Sequence, residues 1–352
     1  MKPHILILAI CLLFNGLILC GASKPSDPVE NFEALWKTFH ERYAFFDLRG
    51  VDWKAQYEKY RPKVTKDTTD EELYGLMCEM LKPLKDGHVN LKAKSLAKKK
   101  TYNPEEAPRF LKEFNNGKLE KQFEELVRKT LRGNNFGELK NSTDLLVYSR
   151  NKDLGYLLIT EFEGARTKKL DAALDKVLAF MDGTKGMIID IRLNPGGTDQ
   201  CVYQIANRFA DKKRIGHHRK TKTKPGPDGF AELKTRYLKP DEDGDAYLKP
   251  IILLTHDASF SGADVFAMVM TELPNVTIVG EPTNGIFSNM LEKKLPNGWK
   301  YTLSFQVYYS ADMTCYEGKG IPVDIPMKNM MSDLEKGEDP LVIKALELLS
   351  DK

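Results

Sequence analysis

The sequence predicts an α/β fold with packed layers, preceded by a small helical unit. Three observations carry this. From about residue 143, strand-like runs alternate with helical patterns, the order that builds layered α/β cores. Before that point, apolar residues recur at helical spacing: Phe32, Leu35, Trp36, Phe39 and Tyr43, then Leu73, Leu76, Met77, Met80 and Leu84. Near the end, Pro296-Asn297-Gly298 joins two strand-like runs, a hairpin signal.

The first 23 residues read as a targeting segment. Lys2 opens it, Ile5 to Cys20 is almost wholly apolar, and Gly21, Ala22 and Ser23 offer a cleavage site. The apolar run is short for a membrane span. An exported protein is expected, in the periplasm, in the cell envelope or secreted. Leu17-Ile18-Leu19-Cys20 also resembles a lipoprotein signal, which would make Cys20 a lipid anchor and the sole link to a membrane.

The first helix is expected within residues 29–46 and another over 52–62. Thr69 and Glu72 form a capping box for a third, through Leu84. Together these make a helical N-terminal domain, residues 24–94. It ends in the short strand after Lys85-Asp86-Gly87-His88. Residues 95–142 are charged, helix-prone and weakly periodic, and read as a connecting region closed by the Asn134–Gly137 turn. The core is expected over 143–330, and 331–352 holds a closing helix.

Within the core, strands are expected at 145–148, 156–160, 187–192, 251–254 and 277–279. Helices fall at 167–182, 200–210 and 261–273. Residues 225–244, rich in Pro, Gly and Asp, form an irregular surface excursion.

Composition narrows the function. In 352 residues the net charge is only +3, which gives no argument for nucleic acid. Outside the targeting segment three cysteines remain, Cys78, Cys201 and Cys315. Their odd number and wide spacing fit neither a disulfide framework nor a metal site. No phosphate-binding loop or dinucleotide fingerprint is present.

Two segments carry chemistry. Ile251 to Leu254 is a buried strand that breaks into Thr255-His256-Asp257-Ala258-Ser259-Phe260-Ser261-Gly262 and then a helix. A serine there is ordinarily a helix cap. It also stands where free backbone N–H groups can hold an oxyanion. Met187 to Arg192 is a second buried strand, emptying into Asn194-Pro195-Gly196-Gly197, whose glycines permit positive φ and close approach. His88 and His256 are the two histidines at turns beside strands.

Three segments, LKDGHVNL, MIIDIRLNPGG and ILLTHDASFSGADVFAMVM, followed by VGEPTNG, LPNG and YEGKGIPVDIPM, resemble the tail-specific (carboxyl-terminal processing) serine protease family. That family includes the tricorn core and retinoid-binding-protein modules. The resemblance spans roughly residues 70–330. It implies a crotonase-like α/β core and endopeptidase activity on peptide or protein substrates, with neither cofactor nor metal. Ser261 takes the nucleophile position. Gly262 supplies one oxyanion N–H, and Gly196 or Gly197 the other. Ile286 stands where one branch carries its lysine base, so that dyad is not available. In the tricorn-like branch a histidine serves, oriented by a downstream carboxylate, and His88 and Glu317 match those positions. A neutral imidazole suits the removal of a serine proton near pH 7.

The chain departs from that branch at Gly87, where a serine usually bridges histidine and acid. His256, Lys293 and Lys294 are rival bases, and Asp264 is read as a brace for the helix. Only about fifty residues separate Leu91 from Leu145, too few for the PDZ domain common in the family. The alternative is a non-catalytic peptide- or lipid-binding protein on the same scaffold. The sequence leaves the oligomeric state undefined.

Overall fold

In a computed structural model the structure describes residues 27–350, apart from 97–98, 115–116, 165–166 and 241–245. The targeting segment and Cys20 lie outside the described residues.

The core is a seven-stranded sheet. Its order is Ile325–Pro326, Val276–Gly280, Ile251–Thr255, Gly186–Asp190, Leu154–Ile159, Leu146–Arg150 and Lys140–Thr143. The first five strands run parallel, and Leu146–Arg150 pairs antiparallel with both of its neighbours. Gly186–Asp190 and Ile251–Thr255 are buried along their whole length. That burial explains their continuous apolar sequence, since helices cover both faces of a parallel sheet. On one face lie Lys168–Phe180, Asp199–Ala206 and Gly262–Met270, which join a core with Ile189, Leu253 and Phe266. On the other, helix Pro340–Ser350 and Phe110, Phe123 and Leu126 pack on Ile188, Ile252 and Leu254. Ligands bind such open parallel sheets beyond the C-terminal ends of their strands. Both chemical segments leave the sheet there.

The helical N-terminal region forms as the apolar spacing requires. Helix Pro28–Arg42 is capped by Asp27, and helix Asp70–Leu81 carries the Thr69–Glu72 capping box. Their buried faces meet Trp299, Tyr301 and Leu303 from far along the chain. Those residues belong to a four-stranded antiparallel sheet ordered Met290–Lys294, Lys300–Ser304, Asn90–Ala93 and Lys100–Tyr102. The Pro296–Gly298 turn makes its hairpin, with Gly298 at φ +89. This sheet carries His88 against the core, because Asn90–Ala93 pairs with Lys300–Ser304.

The connecting region folds into helices Arg109–Phe114 and Gly117–Gly133. Asp257, two residues after the strand Ile251–Thr255, accepts the Arg109 and Phe110 N–H groups at 2.5 and 3.2 Å. The first turn of that helix is thus tied to the loop before Ser261.

Below this loop sits a buried ionic network. Arg192 bonds Asp190 through two nitrogens at 2.9 and 2.6 Å, Asp339 at 2.7 Å and Asn329 at 3.0 Å. A buried cation of this kind is retained because removing it strands its partners. Replacing Arg192 by Leu is expected to cost about 3–5 kcal/mol in denaturant unfolding. A loss below about 1 kcal/mol would contradict that role.

Candidate active site

Ser261 begins helix Gly262–Met270 with φ +61 and ψ −115. A non-glycine residue in that region is strained and persists only where its surroundings hold it. The hold is Asp264, which is fully buried. Its Oδ2 accepts the N–H groups of Ser261 and Ile286 at 2.7 and 3.1 Å, and its Oδ1 accepts that of Gly285 at 2.7 Å. Asp264 therefore braces the serine turn against the 283–286 loop. Burial pushes its carboxyl up to about 6, against the pull of these hydrogen bonds.

The Gly-Gly strand end lies directly against this turn. A Cβ on Gly196, at φ +98, would stand 2.6 Å from Ser261 Cβ and 2.5 Å from the Phe260 carbonyl oxygen. A Cβ on Gly262 would stand 2.8 Å from Gly197 N. Only residues without side chains let the two backbones approach so closely.

The N–H groups divide. Gly196 N–H donates to Asn194 Oδ1 at 2.8 Å, while Asn194 Nδ2 donates to the Ile159 carbonyl at 2.9 Å. Among the described residues no acceptor takes the N–H of Gly197 or of Gly262. These two form the free donor pair beside the serine.

His88 and Ser261 line one cleft of about 620 Å³. Gly87, Gly197, Phe260 and Ile286 share its wall. His88 is only 7% exposed, and its Nδ1 is buried without a partner. Burial lowers its basicity below the usual imidazole value, and Asp86 opposes that shift. Its backbone is fixed on both sides: the N–H donates to Asp86 Oδ1 at 2.8 Å and the carbonyl accepts from Thr302 Oγ1 at 2.7 Å. Asp86 is in turn held by the Tyr43 hydroxyl at 2.9 Å and Ser304 Oγ at 3.1 Å. Among the described residues no hydrogen bond joins Ser261 Oγ to the imidazole. Catalytic contacts are often loose in unliganded sites.

Glu317 is 1% exposed. One carboxyl oxygen accepts the Phe287 N–H at 3.0 Å, and the other lies 3.9 Å from Arg49 with no hydrogen bond. Burial, then Asp86, raises this carboxyl well above the usual range. No hydrogen bond joins Glu317 to His88 among the described residues.

The rivals lie elsewhere. His256 Nε2 pairs with Asn329 Oδ1 at 3.1 Å, its ring packs against Phe110, and burial pushes it down to about 3. It is a core histidine within the Arg192 network. Lys293 and Lys294 are exposed on an edge strand. Ile286, in the alternative base position, turns an apolar side chain toward the cleft. Its Cδ1 lies 2.5 Å from where a Cβ on Gly87 would be.

Two residues escaped sequence reasoning. Asp86 is the carboxylate that holds His88, and an Asp-x-His turn was its local sign. Glu105 lines the cleft from the connecting region, and nothing in its own segment marks it. Among the described residues no group of His, Cys, Asp and Glu is arranged to hold a metal.

A Cβ on Gly197, at φ +140, would fall 2.1 Å from the Phe162 carbonyl carbon. Gly197→Ala is expected to lower unfolding stability by about 1–3 kcal/mol, and unchanged stability would contradict the packing. The His88 ring, followed by NMR, is expected to titrate below 6.5, its ordinary value. A midpoint above that value would contradict the burial.

Comparison with known proteins bears on the family and the fold. Residues 153–327 match the model of peptidase family S41, and residues 26–82 match that of the tricorn protease C1 domain. The carboxy-terminal processing protease CtpA of Bacillus subtilis (strain 168) is 30% identical over 177 residues, 50% of this chain and 35% of CtpA. The carboxy-terminal-processing protease of Bartonella bacilliformis is 28% identical over 194 residues, 54% of this chain and 43% of that protein. The chain thus spans less than half the length of these relatives. A solved structure from Parabacteroides merdae superposes with a TM-score of 0.77 at 28% identity, covering 92% of this chain and 97% of that one. Its mixed α/β core with a helical N-terminal region is the architecture described above. The chain carries a peptidase family S41 domain over residues 153–327.

Proposed function

We propose that this chain is an exported serine endopeptidase that cleaves peptide bonds through an acyl-enzyme. Ser261 attacks the scissile carbonyl. His88 takes the serine proton as general base and returns it to the leaving amine as general acid. Gly197 and Gly262 donate their N–H groups to the oxyanion, each worth roughly 3–4 kcal/mol when aligned. Gly196 contributes close approach rather than a donor, since its N–H is committed to Asn194.

One observation carries the reading. A strained serine at a helix N-terminus shares a cleft with a buried imidazole whose Nδ1 is unpaired, and stands beside two unpaired backbone donors. Burial keeps His88 neutral near pH 7, as a base must be. Helix capping alone accounts for the serine but not for a buried, unpaired Nδ1 in the same cleft.

Glu317 is the proposed orienting acid. Its oxygen without a hydrogen bond and the unpaired Nδ1 of His88 support the assignment. An imidazolium forming nearby would favour the ionised carboxyl that burial otherwise opposes. Export rests on the apolar segment of residues 1–23. Substrate peptide enters the core cleft in extended form, with the exposed edge strand Met290–Lys294 as the surface for strand addition. Met290, its first residue, already lines the cleft.

Ser261→Ala is expected to reduce peptide hydrolysis by at least about 10⁴-fold with unfolding unchanged. Hydrolysis persisting in that variant would overturn the mechanism. Glu317→Gln is expected to lower kcat with little change in KM, and the reverse pattern would reassign Glu317 to substrate binding.

A further inference from the structure

The cleft has a charge of its own. Its described lining includes two carboxylates, Glu105 and Glu163, and neither lysine nor arginine, although the chain as a whole carries a net charge of +3. Among the described residues neither carboxylate has a hydrogen-bond or ion-pair partner on its side chain. Pro195, Phe260, Ile286 and Met290 add apolar surface to the same lining.

Glu105 reaches the cleft because residue 87 has no side chain. A Cβ on Gly87 would meet Glu105 Oε2 at 2.2 Å. The loop is pinned there: Asn103 Nδ2 donates to the Gly87 carbonyl at 2.7 Å, and Asn103 Oδ1 accepts the Glu105 N–H at 2.8 Å. The carboxyl therefore lies beside the turn that carries His88, whose buried ring and orphaned Nδ1 mark the reacting end of the cleft. Burial, then Asp86, pushes Glu105 up to about 7, with Arg49 pulling the other way and Asp264 adding to the push. A carboxylate held in this way gains from a cation brought in by a ligand.

We propose that Glu105 is a specificity-determining residue that selects peptides with lysine or arginine beside the scissile bond. Such side chains pair a long apolar stem with a cationic tip. The stem lies along Phe260, Ile286 and Met290, and the tip meets Glu105, with Glu163 adding to the field. Aspartate or glutamate at the same position is repelled. This inference rests on the hydrolase reading, which fixes where the scissile bond lies.

The test uses the full chain and peptides differing at one position, Lys, norleucine or Glu. The Lys peptide is expected to exceed norleucine in kcat/KM by about tenfold or more. Glu105→Gln should bring that ratio close to one, and Glu105→Lys should shift preference to the Glu peptide. Glu106→Gln, an exposed neighbour paired with Lys112, should leave the ratio intact. Equal cleavage of Lys and norleucine peptides, or a Lys preference that survives Glu105→Gln, overturns the proposal while the hydrolase stands. If no peptide is cleaved, binding of the same peptides to the Ser261→Ala protein decides. Lys-selective binding that Glu105→Gln abolishes keeps the cleft inference and removes the hydrolase. Equal binding overturns the inference too.

Discussion

The site depends on one contact between two backbones. The strand end at Gly196-Gly197 and the turn at Ser261-Gly262 approach until a Cβ on Gly196 or on Gly262 would collide with the opposite backbone. That contact brings two unpaired N–H groups, those of Gly197 and Gly262, close together beside a serine. It comes from adjacent parallel strands, Gly186–Asp190 and Ile251–Thr255, whose C-terminal ends open on the same side. Asp264 completes it by fastening the strained serine to the 283–286 loop. A loop without that brace would relax to an ordinary helix cap.

The imidazole arrives by a different route. His88 sits in the turn just before a strand of a four-stranded sheet packed with the N-terminal helices. The site is thus assembled between two hydrophobic cores, and the histidine is placed by tertiary pairing at Asn90–Ala93. Buried carboxyls crowd behind it: Asp86, Asp264 and Glu317, with Arg49 close to Glu317. Like charges at such depth cannot all ionise. Burial is the first cause that raises the carboxyls of Glu317, Asp264 and Glu105, and for Glu317 and Glu105 the charge of Asp86 adds to it.

Much of this was legible in the residues. The strands at Ile251 and Met187 announced themselves by unbroken aliphatic runs, because both of their faces are covered. The Thr69–Glu72 cap and the Pro296–Gly298 hairpin are local and were readable as such. Ser261, Gly197 and Gly262 sit on those local patterns. What the chain did not disclose depends on distance. His256 stood as a rival to His88 until burial among Phe110, Phe123 and Asn329 removed it. Gly196 and Gly197 were equivalent until Asn194 claimed one N–H. Glu105 entered only through the room left at Gly87, which no periodicity can report.

The central claim is that the His88 ring activates Ser261. The most direct measurement is the rate at which a phosphonate ester labels Ser261 in the native chain and in His88→Asn, with intact mass locating the adduct. General-base assistance predicts a fall of about 10²–10⁴-fold in the variant, with folding preserved. Equal labelling rates in the two proteins would contradict the account.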